Sequence, residues 1–410
     1  MKKTTIAVNA CTGILASLLG ASVQAEEAWT GNLVDMVAKG TVNFDFRYRY
    51  EGVDQDGFSR NAGSSVLRSR LTYTTGSLSG FSALAEIDNL SVIGSERYNS
   101  TENGKTQYPV VADPKGTDIN QVLLKYKAET WDSVYGRQRI NHNDQRFVGG
   151  VGWRQNEQTY DGFRATWKPA DRLKLDYSYI YNVNRIFGPT DGTNPANLHG
   201  SNSFIYADYQ VAEGHIVKGY GYLLDFDGSS GYPAGKTVNN ASDTWGIEYS
   251  GDFKILTLRA AWATQSDTGD SELRYDADYY MADLAGQISK VSLNAGIEVL
   301  GGGDGVGFAT PLATLHKFQG WADMFLGTPG DGVEDIYVGV SGKIGPVALK
   351  AIYHDFSAED SSADWGSELD FVATWAATKD LTTQLHYADF NADEWKVDTQ
   401  KFWVTLQLKL

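Results

Sequence analysis

Residues Thr41–Tyr50, TVNFDFRYRY, alternate apolar and polar side chains without a break. Val42, Phe44, Phe46, Tyr48 and Tyr50 take one face, while Asn43, Asp45, Arg47 and Arg49 take the other. Successive side chains of a strand point to opposite faces, so this segment needs oil on one side and water on the other. The same period recurs to the end of the chain. It predicts 18 strands, roughly at 41–50, 65–75, 80–90, 118–128, 130–140, 157–167, 172–183, 202–212, 214–226, 243–250, 254–265, 274–286, 289–299, 334–343, 346–357, 366–377, 380–390 and 398–409.

The connections decide the architecture. Even-to-odd joins are tight, as at Gly76–Ser79, Glu129 and Ile344-Gly345, whereas odd-to-even joins are longer and polar, the longest being 91–117 and 300–333. Hairpins with short periplasmic turns and long outer loops give this two-beat rhythm, and a soluble sandwich has no reason to sort its loops by length. An even count with both ends on the turn side lets the first strand pair with the last. The predicted fold class is therefore all-β, a transmembrane antiparallel up-and-down barrel. No domain boundary interrupts it.

Met1–Ala25 has the layout of an export leader: Lys2 and Lys3, an apolar stretch centred on Ile14–Gly20, and Val23-Gln24-Ala25 before Glu26. The expected division is a signal peptide at 1–25 and a barrel at 26–410. Cys11, the only cysteine, would leave with the leader, so disulfides and cysteine chemistry are excluded from the mature chain. No run approaches ~18 consecutive apolar residues, so no helix is expected to span a bilayer. A barrel hides its membrane signal because only alternate residues meet lipid.

The formal charge of −16 falls to −18 when Lys2 and Lys3 are removed. That balance argues against nucleic acid as a partner. It does not fix what a pore prefers, because the field that matters is local to the lumen wall.

Two stretches carry a family likeness. Gly136-Arg137-Gln138-Arg139-Ile140 closes the fifth strand, and Ala309-Thr310-Pro311-Leu312-Ala313-Thr314-Leu315-His316-Lys317-Phe318-Gln319-Gly320-Trp321-Ala322-Asp323-Met324-Phe325-Leu326 precedes Thr328-Pro329 and Gly332-Val333-Glu334-Asp335. Together they resemble the alginate-export family of outer-membrane porins. The resemblance implies an 18-stranded, monomeric barrel whose arginine-lined pore passes an anionic polysaccharide. The chain departs from such barrels in ending on Leu410 instead of an aromatic residue, and in its acidity.

Strand phase set by the apolar faces places Arg47, Arg49, Arg68, Arg70, Lys125, Arg137, Arg139 and Arg164 on the lumen side of the early strands. Later strands present mostly acids, among them Asp276, Asp278 and Glu298, with Arg259 and Lys350 as exceptions. Facing arcs of opposite charge would orient a polar solute and replace part of its water. Arginine also suits bidentate contact with a carboxylate, sulfate or phosphate. Tyr135, Tyr160, Tyr206 and Tyr280 fall on the same faces, where rings could stack on sugars. The bland reading is that these charges pair across strands and keep the lumen wet.

Other motifs fail. Gly231–Thr237 resembles a phosphate loop but is one residue short and has no following helix. The six histidines show no i, i+4 pair, and no serine stands at a nucleophile elbow. The loop acids Glu359, Asp360, Asp393 and Glu394 read as solvated charge rather than a calcium site. The sequence thus predicts a channel of a Gram-negative outer membrane with no catalytic residue, no cofactor and no metal. Its expected partners are membrane lipid, lipopolysaccharide and small anionic or saccharide solutes. The alternative is a plugged structural or adhesive barrel acting through its loops.

Overall fold

The computed structural model describes residues 26–227 and 241–410. The expected leader and the Gly231–Thr237 loop lie outside these described residues. The wall is one 18-stranded antiparallel sheet. Its strands are β1 (Thr41–Gln55), β2 (Ala62–Thr74), β3 (Phe81–Arg97), β4 (Gly116–Lys127), β5 (Trp131–Gln138), β6 (Thr159–Ala170), β7 (Leu173–Asn184), β8 (Asn197–Ala212) and β9 (His215–Leu224). They continue as β10 (Ser242–Asp252), β11 (Leu256–Asp267), β12 (Asp276–Ile288) and β13 (Val291–Leu300), then β16 (Val333–Ile344), β17 (Val347–Ser357), β18 (Asp364–Ala376), β19 (Leu381–Ala392) and β20 (Thr399–Lys409). Two short strands between them, β14 (Gly302–Gly303) and β15 (Val306–Gly307), form a separate ladder. Each wall strand overlaps one of the predicted segments. Pairing of β1 with β20 runs from Asp45 opposite Lys409 to Gln55 opposite Thr399, which closes the sheet and leaves no free edge.

One element was not anticipated. Helix α1 (Glu26–Ala38) precedes β1 and docks under the β2–β3 turn, where the Gly76 amide donates to the Met36 carbonyl at 2.8 Å and the Tyr73 hydroxyl to that of Val37 at 2.5 Å. Among the described residues no helix is long and apolar enough to cross a membrane.

The outer face carries the apolar belt that a membrane wall needs. Ile247, Trp262 and Tyr280 stand side by side on β10, β11 and β12, each between 45% and 49% exposed. Leu258 lies opposite the outward Leu284, whereas Thr257 and Arg259 point to the lumen. Leu258→Arg should therefore cost about 2–4 kcal/mol if its depth is near the bilayer midplane, and Thr257→Arg little. Equilibrium folding into lipid vesicles measures both, and equal costs would overturn the assigned faces.

The inner face is not uniformly polar. Toward the loop end it packs Tyr206, Tyr220, Tyr222, Tyr279, Phe356, Phe390 and Trp403 into a buried core with loop residues such as Phe147, Phe308 and Phe325. A lumen half filled by loops behaves like a protein interior, so strands here have two apolar faces. That is why alternation puts β12 one residue out of phase, while on β5 the charge of Arg137 gives the same one-residue error. On β12 the inward residues are Ala277, Tyr279 and Met281, so Asp276, Asp278 and Tyr280 take the outward register. On β5 the exposed Trp131 and Tyr135 face outward, and Arg137 stands in register with the outward Val122. Arg137 pairs there with Asp161 at 2.9 Å instead of facing the pore. These are corrections to the lumen assignment of Arg137, Asp276, Asp278, Tyr135 and Tyr280.

Candidate functional site

Two long connections leave the rim and enter the barrel: residues 139–158 between β5 and β6, and 301–332 between β13 and β16. They join one another inside it. Val148 and Leu312 form a parallel bridge, Gly149 donates to the Leu312 carbonyl at 2.8 Å, and Thr314 donates to that of Gln145 at 3.0 Å. Gln158 adds a side-chain bond to the Leu312 carbonyl at 3.1 Å. Loops buried this way need their backbone groups satisfied, and these bonds do part of that.

The wall supplies the rest, and it does so with the arginines of the early strands. Arg47 donates to the Gly152 carbonyl at 2.8 Å, to Gln155 Oε1 at 2.7 Å and to the Arg154 carbonyl. Arg49 donates to the Trp153 carbonyl at 2.6 Å and lies over its ring, 4.1 Å from the centroid. Gln155 returns two bonds at 3.1 Å to the carbonyls of Arg47 and Val66. All four side chains of the Arg47, Arg49, Arg68 and Arg70 set are buried. They are collars around the 151–158 segment.

Glu157 is the charge at the centre of that collar. It accepts from Arg70 at 2.8 Å, contacts Arg139, and lies 3.7 Å from Arg68. Burial raises the Glu157 carboxyl, but Arg70 and Arg139 outweigh it and hold the group well below the usual carboxylate range. Arg70 also makes a two-pronged contact with Asp88 at 2.7 and 2.6 Å, and Arg139 reaches Glu86. The like charges at i, i+2 spacing are tolerated because these carboxylates sit between them.

A second anchor holds the other loop. Asp323 accepts from Lys401 at 2.7 Å, and it approaches Arg154 at 3.3 Å and His316 Nδ1 at 2.8 Å. Arg154 also meets Glu51 at 2.9 Å. Burial pushes the His316 imidazole down to about 4, against the pull of Asp323, so the ring is neutral and stacks on Trp153 at 3.9 Å. Beyond it, the Trp321 and Ala322 amides donate to Asp370 at 3.2 Å and Glu368 at 2.7 Å. Gly320, at φ +77°, is required at this approach, since a Cβ would collide with the Glu368 carboxylate.

The remaining sequence-derived candidates lie elsewhere on the inner wall. Arg164 pairs with Asp176 at 2.7 Å, and Glu298 receives Arg146 at 2.7 Å and the Tyr279 hydroxyl at 2.7 Å. Lys125 lies near the turn end, 4.0 Å from Asp132. Arg259 bridges Glu248 at 3.4 Å and Asp144 at 3.5 Å, and Lys317 reaches the same Asp144. Side chains of Asp144 and Lys317 are 41% exposed and that of Arg259 32%, in contrast to the buried collar. Solvent reaches them.

Below the loops the lumen opens into a recess of about 760 Å³, bounded among others by Lys290, Lys343, Lys350, Gln287, Ser292, Ser341 and Thr374. Sequence reasoning found the wall arginines but not their loop partners Arg154, Gln155 and Glu157, nor Asp323, which meets the wall at Lys401. The signal available was the run Arg154-Gln155-Asn156-Glu157-Gln158, too dense in long polar side chains for a loop with nothing to reach.

The profile described as alginate export matches residues 39–289. No curated protein matches the chain by sequence. Among solved structures, Acinetobacter baumannii OccAB2 is 15% identical and superposes with a TM-score of 0.70 over 92% of this chain and 99% of that one. Acinetobacter baumannii OccAB4, at 13% identity, gives 0.68 over 92% and 99%. Pseudomonas aeruginosa OpdK, solved with vanillate, gives 0.66 at 13% identity over 92% and 99%. Such likeness establishes the shared barrel. The lipid-facing belt, the closed wall and the profile together place the protein in the outer membrane.

Proposed function

The chain belongs to the alginate export family, and on that premise we propose that it is a diffusion channel for hydrophilic anions, saccharide-like acids included. The observation that carries this reading is the basic recess: Lys290, Lys343 and Lys350 line a volume of about 760 Å³ whose other polar walls are hydroxyls and amides. Lys317 and Arg259 stand half-exposed toward the same lumen. A carboxylate passing them exchanges part of its hydration for charge-assisted hydrogen bonds, without a site tight enough to trap it. The work is positioning and partial desolvation, and no covalent step is assigned.

The inward loops favour a second reading. Bonded to each other and to the collar, they could seal the barrel and leave it to act through its outer surface. Planar-bilayer recording separates the two. A steady ohmic conductance with anion preference, and block by a small carboxylate such as vanillate or by an oligouronate, supports the channel. A silent bilayer supports the plug.

A further inference from the structure

Outside the lumen, a row of outward positions runs across five adjacent strands near the loop end. Tyr387 on β19 faces Phe402 on β20, Phe402 faces Gly52 on β1, Gly52 faces Gly63 on β2, and Gly63 faces Arg97 on β3. The two glycines leave a floor without side chains, bounded by Tyr50 and Phe402, in a groove of about 610 Å³. Neither glycine has a positive φ. A Cβ on Gly52 would come no nearer than 3.5 Å to another atom and one on Gly63 no nearer than 3.4 Å, so neither backbone strain nor a backbone clash requires them.

The groove has a polar end and an apolar end. Arg60, from the β1–β2 loop, and Arg97, at the end of β3, are both exposed. Arg60 donates to the Tyr108 hydroxyl at 3.1 Å and Arg97 to Ser95 at 3.2 Å, which leaves each guanidinium with donors to spare. The neighbouring Glu96 is taken by Lys105 and Lys115, each at 3.2 Å, and of the residues lining the groove only Asp54 is acidic, against Arg60, Arg97 and Lys401. In the other direction, Leu385 and Leu406 continue the outward face of β19 and β20, 42% and 40% exposed. Aromatic rings mark the membrane interface, so the two arginines stand at headgroup height with an acyl path beneath them. The long loops put this end in the outer leaflet.

We propose that this groove binds the headgroup of a phosphorylated outer-leaflet glycolipid, with Arg60 and Arg97 gripping the phosphate and the Gly52–Gly63 floor seating the sugar. Two guanidinium forks match a phosphate bidentately, and the apolar flank adds acyl contact that a free anion lacks. The inference rests on the outer-membrane placement and not on the channel reading. A barrel silent in the bilayer would leave it standing.

The test is native mass spectrometry of the purified barrel titrated with bisphosphorylated lipid A. The parent should retain one lipid, and R60Q/R97Q should bind about tenfold or more weakly, the scale of losing a charge-assisted contact. G63L, which fills the floor and leaves both charges, should weaken retention as well. Dephosphorylated lipid should bind the parent poorly, and excess inorganic phosphate should fail to displace the bound lipid. Conductance should be the same in all variants, because the groove lies outside the lumen. Equal retention by parent and R60Q/R97Q overturns the proposal, as does equal binding of dephosphorylated lipid. Ready displacement by phosphate overturns it too, since the site would then read a free anion. If G63L does not fold, the arginine pair and the two competitors decide alone.

Discussion

Glu157→Gln should free the 139–158 loop from the wall while leaving the barrel folded. The carboxylate is buried among Arg68, Arg70 and Arg139, and an amide of the same shape removes its charge from all three. Removing one partner of a buried ion pair costs about 3–5 kcal/mol, because the other charge stays behind without its counterpart. Asp88 still holds Arg70 and Glu86 still contacts Arg139, so the lower end applies, about 3 kcal/mol. At ~1.4 kcal/mol per factor of ten, the docked loop loses about a hundredfold against the released one. Single-channel conductance should rise, and protease should cut within 151–158. Glu96→Gln, on half-exposed pairs with Lys105 and Lys115, should cost under about 1 kcal/mol and change neither readout. An unchanged conductance in the Glu157 variant would remove the collar from the mechanism.

Acid distinguishes the two anchors. His316 is neutral when docked, with its value pushed down to about 4, whereas a released imidazole titrates near 6.5. The released state therefore binds the extra proton first. The stabilisation by His316 is complete above about 6.5 and lost progressively as pH falls toward about 4. Glu157 behaves differently: its contribution is present above the ordinary carboxylate value of ~4.3 and is lost only as pH falls through its depressed docked value. Conductance should thus rise between about pH 6.5 and 4, and this rise should shrink in His316→Asn.

Strand count, hairpin rhythm and closure were legible because each depends on local signals, a period of two and the length of the joins. β1 illustrates this: its inward Arg47 and Arg49 and outward Phe44 follow directly from alternation. β12 marks the limit. Its Tyr279 is as apolar a signal as any lipid-facing residue, yet it points inward because Phe147 and Phe308 from distant loops meet it there. Which face of a strand meets which loop, 132 residues before it for Phe147 and 29 after it for Phe308, is a tertiary fact, and no period within the strand records it. The collar shares this property. Arg70 and Glu157 are 87 residues apart, so the sequence could show the guanidinium density but not what it holds.

That distinction changes which cations should set ion preference. Arg47 and Arg49 spend their donors on loop carbonyls, so Arg47→Gln with Arg49→Gln should raise conductance first and shift selectivity little. Lys317, Arg259 and Lys350 stand where solvent and solute reach them. An anion about 4 Å from one such charge gains ~1 kcal/mol even at the dielectric of water, roughly a fivefold gain in occupancy. Replacing all three by glutamine should therefore move the reversal potential in a salt gradient toward cations, and weaken block by an oligouronate several-fold. Raising the salt to about 1 M, where the Debye length is near 3 Å, should shrink both differences. If the triple variant keeps the parent's selectivity while the Arg47/Arg49 variant loses it, the anion path follows the collar instead of the basic recess, and the loops must move for solute to pass.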